Sequence, residues 1–300
     1  MNVRIAGIEL GGTKCVATLG DVEGRVIQQF TVPTTLPGTT LPALSAILAR
    51  WADEAPFAAL GVGSFGPVGL THGTPDFGHI TATAKPGWRD TDVLRTLSAG
   101  HAVPCSFDTD VNAAALAERR WGAAQGLNDF AYVTVGTGVG VGLIVNGQPT
   151  RGLGHCELGH IRVPRLAGDD WGGNCPYHGD CVEGLAAGPA IKARLGRDHI
   201  HAIAADSDVW IGVAHALAQM CHAMLMTAGP RRILIGGGVA NGQSHLLPMV
   251  ESMVRESVAG YIPLPADTFI VPPGLGDQAG PLGPIALGLD ALDAHRIHAE

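Results

Sequence analysis

Charged side chains are scarce in this sequence, and their scarcity excludes several classes of protein. Asp, Glu, Lys and Arg make up 15% of the 300 residues and hydrophobic residues 46%, a composition that can bury a large core and is unlike that of disordered chains. The net charge of −8 argues against a general nucleic-acid binder, which usually presents a basic surface. The length suffices for two domains or one large α/β unit.

The sequence also lacks clear membrane-spanning and secretory segments. A span needs about 20 apolar residues, and the longest candidate, residues 209–229, contains His215, Gln219 and His222, which favours a core helix. No basic segment followed by an apolar run opens the chain. We therefore expect no membrane partner and a cytoplasmic location.

Cysteines are few and mostly far apart. Of the six, only Cys175 and Cys181 are closely spaced, so a disulfide framework is not expected. Together with His178 they form a C-x2-H-x2-C pattern, and His160 precedes it in the same irregular segment. Two thiolates and two imidazoles suit a tetrahedral Zn²⁺ bound only by protein groups, which predicts a structural zinc site. The alternative is chance clustering in a loop.

Glycine, in contrast, is abundant: it accounts for 43 of the 300 residues, about twice the usual ~7%. Three segments, "GIELGGTK", "YVTVGTGVGVG" and "ILIGGGVA", each combine an apolar strand with a Gly or Gly/Thr turn. The first lacks the G-x-x-x-x-G-K-[ST] spacing of a P-loop. Glycine exposes backbone N–H groups that can hold phosphate. One such turn is weak evidence, but three favour a nucleotide in a cleft between two halves of the chain.

The strand and helix pattern begins twice. Residues 3–10 predict a buried strand that starts an antiparallel meander, and residues 129–149 repeat this layout. The repetition predicts a duplicated α/β unit. We place an N-terminal α/β domain at residues 1–110 and a larger one with the zinc site at 111–283, and we expect the helix near 284–300 to pack back on the first domain.

Asp110 lies where a predicted strand ends and the helix "VNAAALAERRWGAA" begins. An aspartate at this point often caps the helix. Alternatively, its carboxylate faces a cleft and accepts a proton from a hydroxyl group, with Asn112 orienting it. Two further acids, Glu157 and Glu183, flank the Cys/His segment. They could instead be an exposed loop acid and an acid favoured by the dipole at a helix N-terminus.

Taken together, these segments resemble the ROK family of bacterial sugar kinases and repressors from Gly7 to about Gly288. The resemblance rests on the G-G-T-K loop, the D-x-N-A-A-A-L-x-E helix, the G-T-G-x-G-x-G turn, E-L-G-H before the Cys/His cluster, the G-G-G loop and "LGDQAGPLGPIALG". It implies an actin-like ATPase (ribonuclease H-like) fold, in which two α/β domains close on a cleft, and a homodimer. The E-x-G-G-T-K form, the Cys-His-Cys cluster and "TAKPGW" are most similar to the fructokinase-like branch.

The resemblance also implies roles for individual residues. Asp110 matches the catalytic base. Sugar contacts are implied at Glu157, His160 and Glu183, and we add the polar or rigid positions Gly66, Pro67, Thr83 and Asn112 as substrate candidates. The implied nucleotide-binding residues are Gly11, Gly12, Thr13, Gly136, Thr137, Gly138, Gly140, Gly236, Gly237 and Gly238. His160 would join Cys175, His178 and Cys181 in the zinc cluster.

This sequence departs from the family pattern at three positions. Glu9 replaces the usual Asp before G-G-T and could still reach a hydrated Mg²⁺ near the phosphates. Thr109 replaces an Asn, which leaves one sugar contact open, and His178 stands where Cys is more common. The implied activity is phosphoryl transfer from MgATP to a hexose, with fructose and its 6-hydroxyl as first choice.

Three alternatives remain. A kinase for another hexose or an amino sugar, such as mannose, glucose or N-acetylmannosamine, would differ only in pocket detail. A non-catalytic sugar-binding or regulatory member would keep the fold without the chemistry. A repressor would carry a helix-turn-helix domain before the G-G-T loop, and because that loop begins by residue 11, we do not expect one.

Overall fold

The computed structural model describes residues 3–196 and 199–299, which form two compact α/β units. Unit 1 contains the residues up to 125, residues 151–155 and those from 277 onward. Unit 2 contains residues 126–150 and 156–276. Each unit has its own five-stranded sheet and its own apolar core.

The sheet of unit 1 begins with the predicted meander and continues with parallel strands. Its order is β3-β2-β1-β4-β7, with β1, β2 and β3 antiparallel, β4 parallel to β1, and β7 parallel to β4. A separate ribbon pairs β5 with β6. The strands are β1 (Arg4–Leu10), β2 (Lys14–Asp21), β3 (Val26–Pro33), β4 (Ala59–Ser64), β5 (His79–Ile80), β6 (Thr91–Asp92) and β7 (Cys105–Thr109).

Helices cover both faces of this sheet, which is why β1 and β4 are apolar along almost their whole length. The helices are α1 (Pro37–Glu54), α2 (Val93–Ser98), α3 (Asp110–Trp121) and, from the end of the chain, α9 (Ala279–Ala299). Helix α9 packs along α3 and against β1 and β4. It lies so close that a Cβ at Gly61 would collide with the carbonyl of Pro284, so glycine is required there.

Unit 2 repeats the arrangement in the order β10-β9-β8-β11-β12. Its first three strands are antiparallel, β11 is parallel to β8, and β12 is parallel to β11. The strands are β8 (Phe130–Val135), β9 (Val139–Val145), β10 (Gln148–Pro149), β11 (Ile233–Gly236) and β12 (Ile270–Val271), and the helices are α4 (Val182–Ala186), α5 (Gly188–Leu195), α6 (Val209–Thr227), α7 (Gly238–Asn241) and α8 (Leu246–Val258). The sequence correctly predicted that the pattern begins twice.

Helix α6 is the one helix in the described ranges with the length and apolar composition to cross a membrane. Its side chains, including Trp210, Leu217 and Met224, are fully buried in the core of unit 2. This burial explains the apolar run in the way that the sequence suggested, as a core helix.

The division of the chain differs from the predicted boundary between residues 110 and 111. That boundary falls at the first residue of α3, but α3 belongs to unit 1 because it packs along α9. The first long excursion into unit 2 begins only at Gly126. In addition, residues 151–155 belong to unit 1, which an assignment by contiguous segments does not allow.

Candidate functional site

The turn between β1 and β2 is fixed by hydrogen bonds from several directions. Gly11 N donates to Lys14 O at 3.1 Å, and the Thr34 hydroxyl donates to Gly11 O at 2.7 Å. Lys85 Nζ donates to Gly12 O at 2.5 Å. The space where a Cβ of Gly12 would project is empty to beyond 4 Å. The turn is therefore rigid and open, which suits the close approach of a phosphate to its backbone.

Three carboxyl groups of unit 1 lie at the ends of neighbouring parallel strands. Glu9 is the penultimate residue of β1, Asp108 is near the end of β7, and Asp110 follows β7 directly. Burial, and then the charge of Asp110, raises the pKa of Glu9 to about 7. Burial is also the main cause that raises the pKa of Asp110 to about 6, and Asp108 adds to it. Such shifts are typical of functional carboxyl groups, which are often tuned toward neutral pH.

Asp110 does not cap α3, so the structural alternative for this residue is wrong. Thr109 is the N-cap, and its hydroxyl accepts a hydrogen bond from Asn112 N at 3.1 Å. Asp110 is the first residue of the helix and accepts from Val111 N through Oδ1 at 2.9 Å. Thr109 thus satisfies the helix end and leaves the Asp110 carboxylate available for another role.

Asn112 orients Asp108 and not Asp110, which differs from the sequence-based expectation. Its Nδ2 donates to Asp108 Oδ1 at 2.7 Å, and Thr109 N donates to the same oxygen at 2.6 Å. The guanidinium of Arg151 pairs with Asp108 Oδ2. Asp108 is therefore a buried, fully engaged carboxylate next to the candidate base. Sequence reasoning missed it, although the D-x-D spacing with Asp110 was a usable signal.

The remaining candidates of unit 1 lie in two loops. Gly66 and Pro67, joined by a cis peptide bond, follow β4. Thr83 accepts a hydrogen bond from Lys85 N at 3.2 Å, in the loop whose lysine also holds the first turn. Trp88 is fully buried and donates to Thr35 O at 2.7 Å, so it is a core residue.

In unit 2, the turn between β8 and β9 borders a cavity of about 500 Å³. Gly136 N donates to Gly138 O at 2.9 Å, and Gly188 N, at the start of α5, donates to Gly136 O at 2.8 Å. Backbone N–H groups at helix starts are favourable for anions. The cavity is lined by Gly136, Thr137, Gly188, Pro189, Lys192, His199, Ile200, Gly238 and Val239.

The other glycines predicted to bind nucleotide have different surroundings. Gly140 lies within β9, and Gly236 is the last residue of β11. Gly237 has φ 91°, a backbone conformation that favours glycine, and any Cβ there would lie 2.6 Å from Val135 O. A Cβ at Gly138 would lie 2.5 Å from the carboxylate of Glu183. Backbone geometry and packing thus account for part of this glycine-rich pattern.

The four predicted metal ligands converge in unit 2. The ligand atoms of His160, Cys175, His178 and Cys181 all lie within 4.8 Å of one another. Cys175 Sγ is 3.6 Å from His160 Nδ1 and 3.8 Å from His178 Nδ1, and Cys181 Sγ is 3.7 Å from His160 Nδ1. Zinc bonds of 2.0–2.3 Å in tetrahedral geometry would separate ligand atoms by roughly 3.3–3.8 Å. The donor set and these distances fit such an ion.

Glu183 connects this Cys/His cluster to the turn after β8. Its Oε1 lies 3.9 Å from His160 Nε2, and its Oε2 accepts from Val139 N at 3.1 Å. Because His160 presents Nδ1 to the thiols, Glu183 faces the other ring nitrogen, as a carboxylate that orients a metal-binding histidine does. Burial also raises the pKa of Cys181 to about 11, and the neighbouring Cys175 contributes to this rise. Glu157 is exposed at the start of the short 3₁₀ turn that contains His160.

Comparison with known proteins decides the family. Residues 5–291 match the ROK family. The chain belongs to the ROK family. It is 40% identical over 289 residues to a fructokinase of Pediococcus pentosaceus, covering 96% of this chain and 98% of the relative. It is also 40% identical over 291 residues to a fructokinase of Zymomonas mobilis, covering 95% of this chain and 96% of the relative.

A solved structure shows the same fold. The chain resembles the ROK hexokinase of Thermus thermophilus with a TM-score of 0.77 at 26% identity, covering 97% of this chain and 100% of the other. The duplicated α/β architecture is therefore the actin-like fold of the ROK kinases, which confirms the fold class predicted from the sequence. The metal content and the roles of individual residues are not decided by these comparisons.

Proposed function

We propose that this ROK protein is an ATP-dependent fructokinase that converts fructose to fructose 6-phosphate. Relatives that share 40% of its sequence over nearly the whole chain carry the name fructokinase. The observation that carries the mechanism is the half-buried Asp110 carboxylate, which is released from helix capping by Thr109 and has a pKa of about 6. A base with this pKa is mostly ionised at neutral pH and can accept the proton of an alcohol.

In this proposal, Asp110 takes the proton of the sugar hydroxyl as its oxygen attacks the γ-phosphorus of ATP. Phosphoryl transfer has a loose transition state, so catalysis depends mainly on positioning and on stabilising charge on the phosphoryl oxygens. The backbone N–H groups around Gly11, Gly12 and Thr13 and around Gly136, Thr137 and Gly138 are assigned to the phosphates. The loop that includes Gly236, Gly237 and Gly238 is assigned to the adenosine, with Gly140 as a further nucleotide-binding position.

The hexose is assigned to polar and backbone groups on both units. In unit 1 these are Gly66, Pro67, Thr83 and Asn112, and in unit 2 they are Glu157, His160 and Glu183. Asn112 is buried and binds Asp108 through Nδ2, while its Oδ1 has no partner among the described residues. A sugar hydroxyl that reached this oxygen would satisfy it.

Two metals belong to the proposal. Mg²⁺, held with ATP, would neutralise phosphate charge, and Glu9 would bind it through water, since a cation would favour the ionised form of a carboxyl whose pKa is about 7. Glu9→Gln should then weaken both Mg²⁺ dependence and turnover. Zn²⁺ would be held by His160, Cys175, His178 and Cys181, where it would hold the irregular segment together. We further propose a cytoplasmic homodimer.

The test is a coupled assay of ADP release with fructose, mannose, glucose and their N-acetyl amino forms. We expect the highest kcat/KM with fructose. A higher value with another sugar would replace fructose as the substrate and keep the kinase. Absence of sugar-dependent ADP release with every hexose would contradict the proposal and favour a non-catalytic sugar-binding protein.

A further inference from the structure

Residues 151–155 form a short segment that docks onto unit 1, although the residues before and after it belong to unit 2. Two side chains anchor it. Arg151 pairs with Asp108, and His155 Nε2 accepts a hydrogen bond from Val68 N at 3.1 Å. Leu153 lies between these anchors and is fully exposed. The anchors are therefore polar contacts at chosen points, with little apolar packing at the tip between them.

The His155 contact fixes the backbone of the loop that follows β4. Its ring lies beside Gly66, where an added Cβ would come within 3.2 Å of His155 Cε1. A ring nitrogen that accepts a hydrogen bond carries no proton, so this contact requires the neutral imidazole with its proton on Nδ1. His155 thus holds Gly66 by packing and Val68 by a hydrogen bond, on both sides of Pro67.

The Arg151 contact fixes the end of β7. The Asp108 side chain is 5% exposed, and the Arg151 side chain is 40% exposed. Asp108 also accepts hydrogen bonds from Thr109 N and Asn112 Nδ2. A guanidinium completes the set of donors around this buried carboxylate, which lies two residues before the proposed base Asp110.

We propose that Arg151 and His155 are positioning residues for the hexose: His155 holds the Gly66–Val68 backbone, and Arg151 holds Asp108 beside Asp110. This inference rests on the proposed function, because it assigns both anchors to the sugar half of that reaction. Neither residue follows from a local sequence motif. Both lie far along the chain from the groups that they hold, and only folding brings them together.

The test compares two substitutions at His155. Glutamine can place a carbonyl oxygen near the position of Nε2 and accept from Val68 N, whereas leucine has similar bulk and accepts nothing. One lost hydrogen bond of about 1–1.5 kcal/mol corresponds to roughly a tenfold change in affinity. We therefore expect His155→Leu to raise the KM for fructose about tenfold, with the KM for ATP and the unfolding midpoint nearly unchanged. His155→Gln should restore most of the loss.

His101→Leu is the matched control, because His101 is exposed and lies against Phe57. It should leave both KM values as they are in the wild type. A parallel pair, Arg151→Lys and Arg151→Met, should show a larger loss for methionine than for lysine. Equal fructose KM values in His155→Leu and His155→Gln, or an equal rise in the KM for ATP, would overturn the inference.

Calorimetric titration of hexose into the same proteins separates this inference from the proposed function. If the wild type releases no ADP but binds a hexose that His155→Leu binds about tenfold more weakly, the proposed function fails and the positioning role stands. If the wild type is an active kinase and His155→Leu binds fructose as tightly as the wild type, the positioning role fails alone. Failure of the wild type to bind any hexose contradicts both.

Discussion

The two units have sheets with the same strand order, but the turns at their first hairpins are held in opposite ways. In unit 1, a cation holds the turn: the ammonium of Lys85 donates to the carbonyl of Gly12. In unit 2, an anion does so: the carboxylate of Glu183 accepts from Val139 N. The repeated frame therefore supplies the position of each turn, and a side chain from outside the sheet supplies its electrostatics.

The penultimate residues of the two first strands show the same contrast. Unit 1 has Glu9 in β1, with a pKa raised to about 7, where unit 2 has the neutral Thr134 in β8. After the last strand of each sheet, unit 1 has the carboxylate of Asp110, and unit 2 has Pro272. The comparison shows that a shared topology does not predict a shared role. We assign the proton-transfer chemistry to unit 1, and nucleotide binding with the metal cluster largely to unit 2.

The largest expected effect comes from Asp110→Asn, which removes the base and keeps the side-chain shape. Since general bases contribute about 10²–10⁴-fold, kcat should fall at least about a hundredfold, while the KM for ATP changes little. Steady-state ADP release measures both values. Asp53→Asn, at an exposed position of α1, is the control. Turnover of Asp110→Asn near that of the wild type would remove Asp110 from its role.

The second expected effect is confined to unit 2. Cys175→Ser removes one of four converging ligands, so purified wild-type protein should contain about one zinc per chain and the variant much less. The unfolding midpoint should fall by ~5 °C or more, since 1 kcal/mol corresponds to about 2–4 °C for a domain of this size. Cys221→Ser, a buried cysteine outside the cluster, controls for loss of a thiol. Wild-type protein without zinc would end the zinc assignment.

The third prediction compares one glycine from each unit. At both Gly12 and Gly238, the space for a Cβ is open, so alanine should fold normally at either position. A methyl group in the path of a phosphate should nevertheless raise the KM for ATP by about tenfold, with the KM for fructose less affected. Gly61→Ala is the contrasting variant, because its Cβ would collide with Pro284 and destabilise unit 1. An unchanged KM for ATP in both open-glycine variants would contradict the assignment of these loops to the nucleotide.

The smallest expected effect is a pH-dependent change in stability at Glu9. Its pKa in the folded protein is raised from 4.5 to about 7. The folded state therefore holds this proton more tightly than the unfolded state, and stability is lost as pH rises from about 4.5 through 7. Glu9→Gln does not ionise, so in the absence of Mg²⁺ it should unfold at a higher temperature than the wild type at pH about 8, with the gap closing near pH 5.

Thermal unfolding of both proteins at several pH values measures this gap. Glu54→Gln, at an exposed position on α1, should show no such dependence on pH. A gap of the same size at both ends of the pH range would mean that ionisation of Glu9 does not cause it.

Local patterns in the sequence were sufficient for much of the fold. The apolar strands with glycine turns, the helix after Asp110 and the core helix α6 could all be predicted because their signals lie within short windows. The same is true of the Cys/His cluster, whose spacing brings Cys175, His178 and Cys181 together. Each of these features depends on residues that are neighbours in sequence.

The failures arose where distant residues decide the outcome. Whether Asp110 caps α3 depended on Thr109 taking the cap, and the unit boundary depended on the packing of α9 along α3. The partner of Asn112 was wrong because the choice between Asp108 and Asp110 is set by the geometry at the strand end. Arg151 reaches Asp108 across a long stretch of chain, and no local motif indicates that pair.

The most direct test of the central claim is the identity of the product. Purified wild-type protein with MgATP and fructose should give fructose 6-phosphate by ³¹P NMR, and Asp110→Asn under the same conditions should give almost none. Phosphorylation at another hydroxyl, formation of no sugar phosphate, or an equal yield from the two proteins would contradict the account.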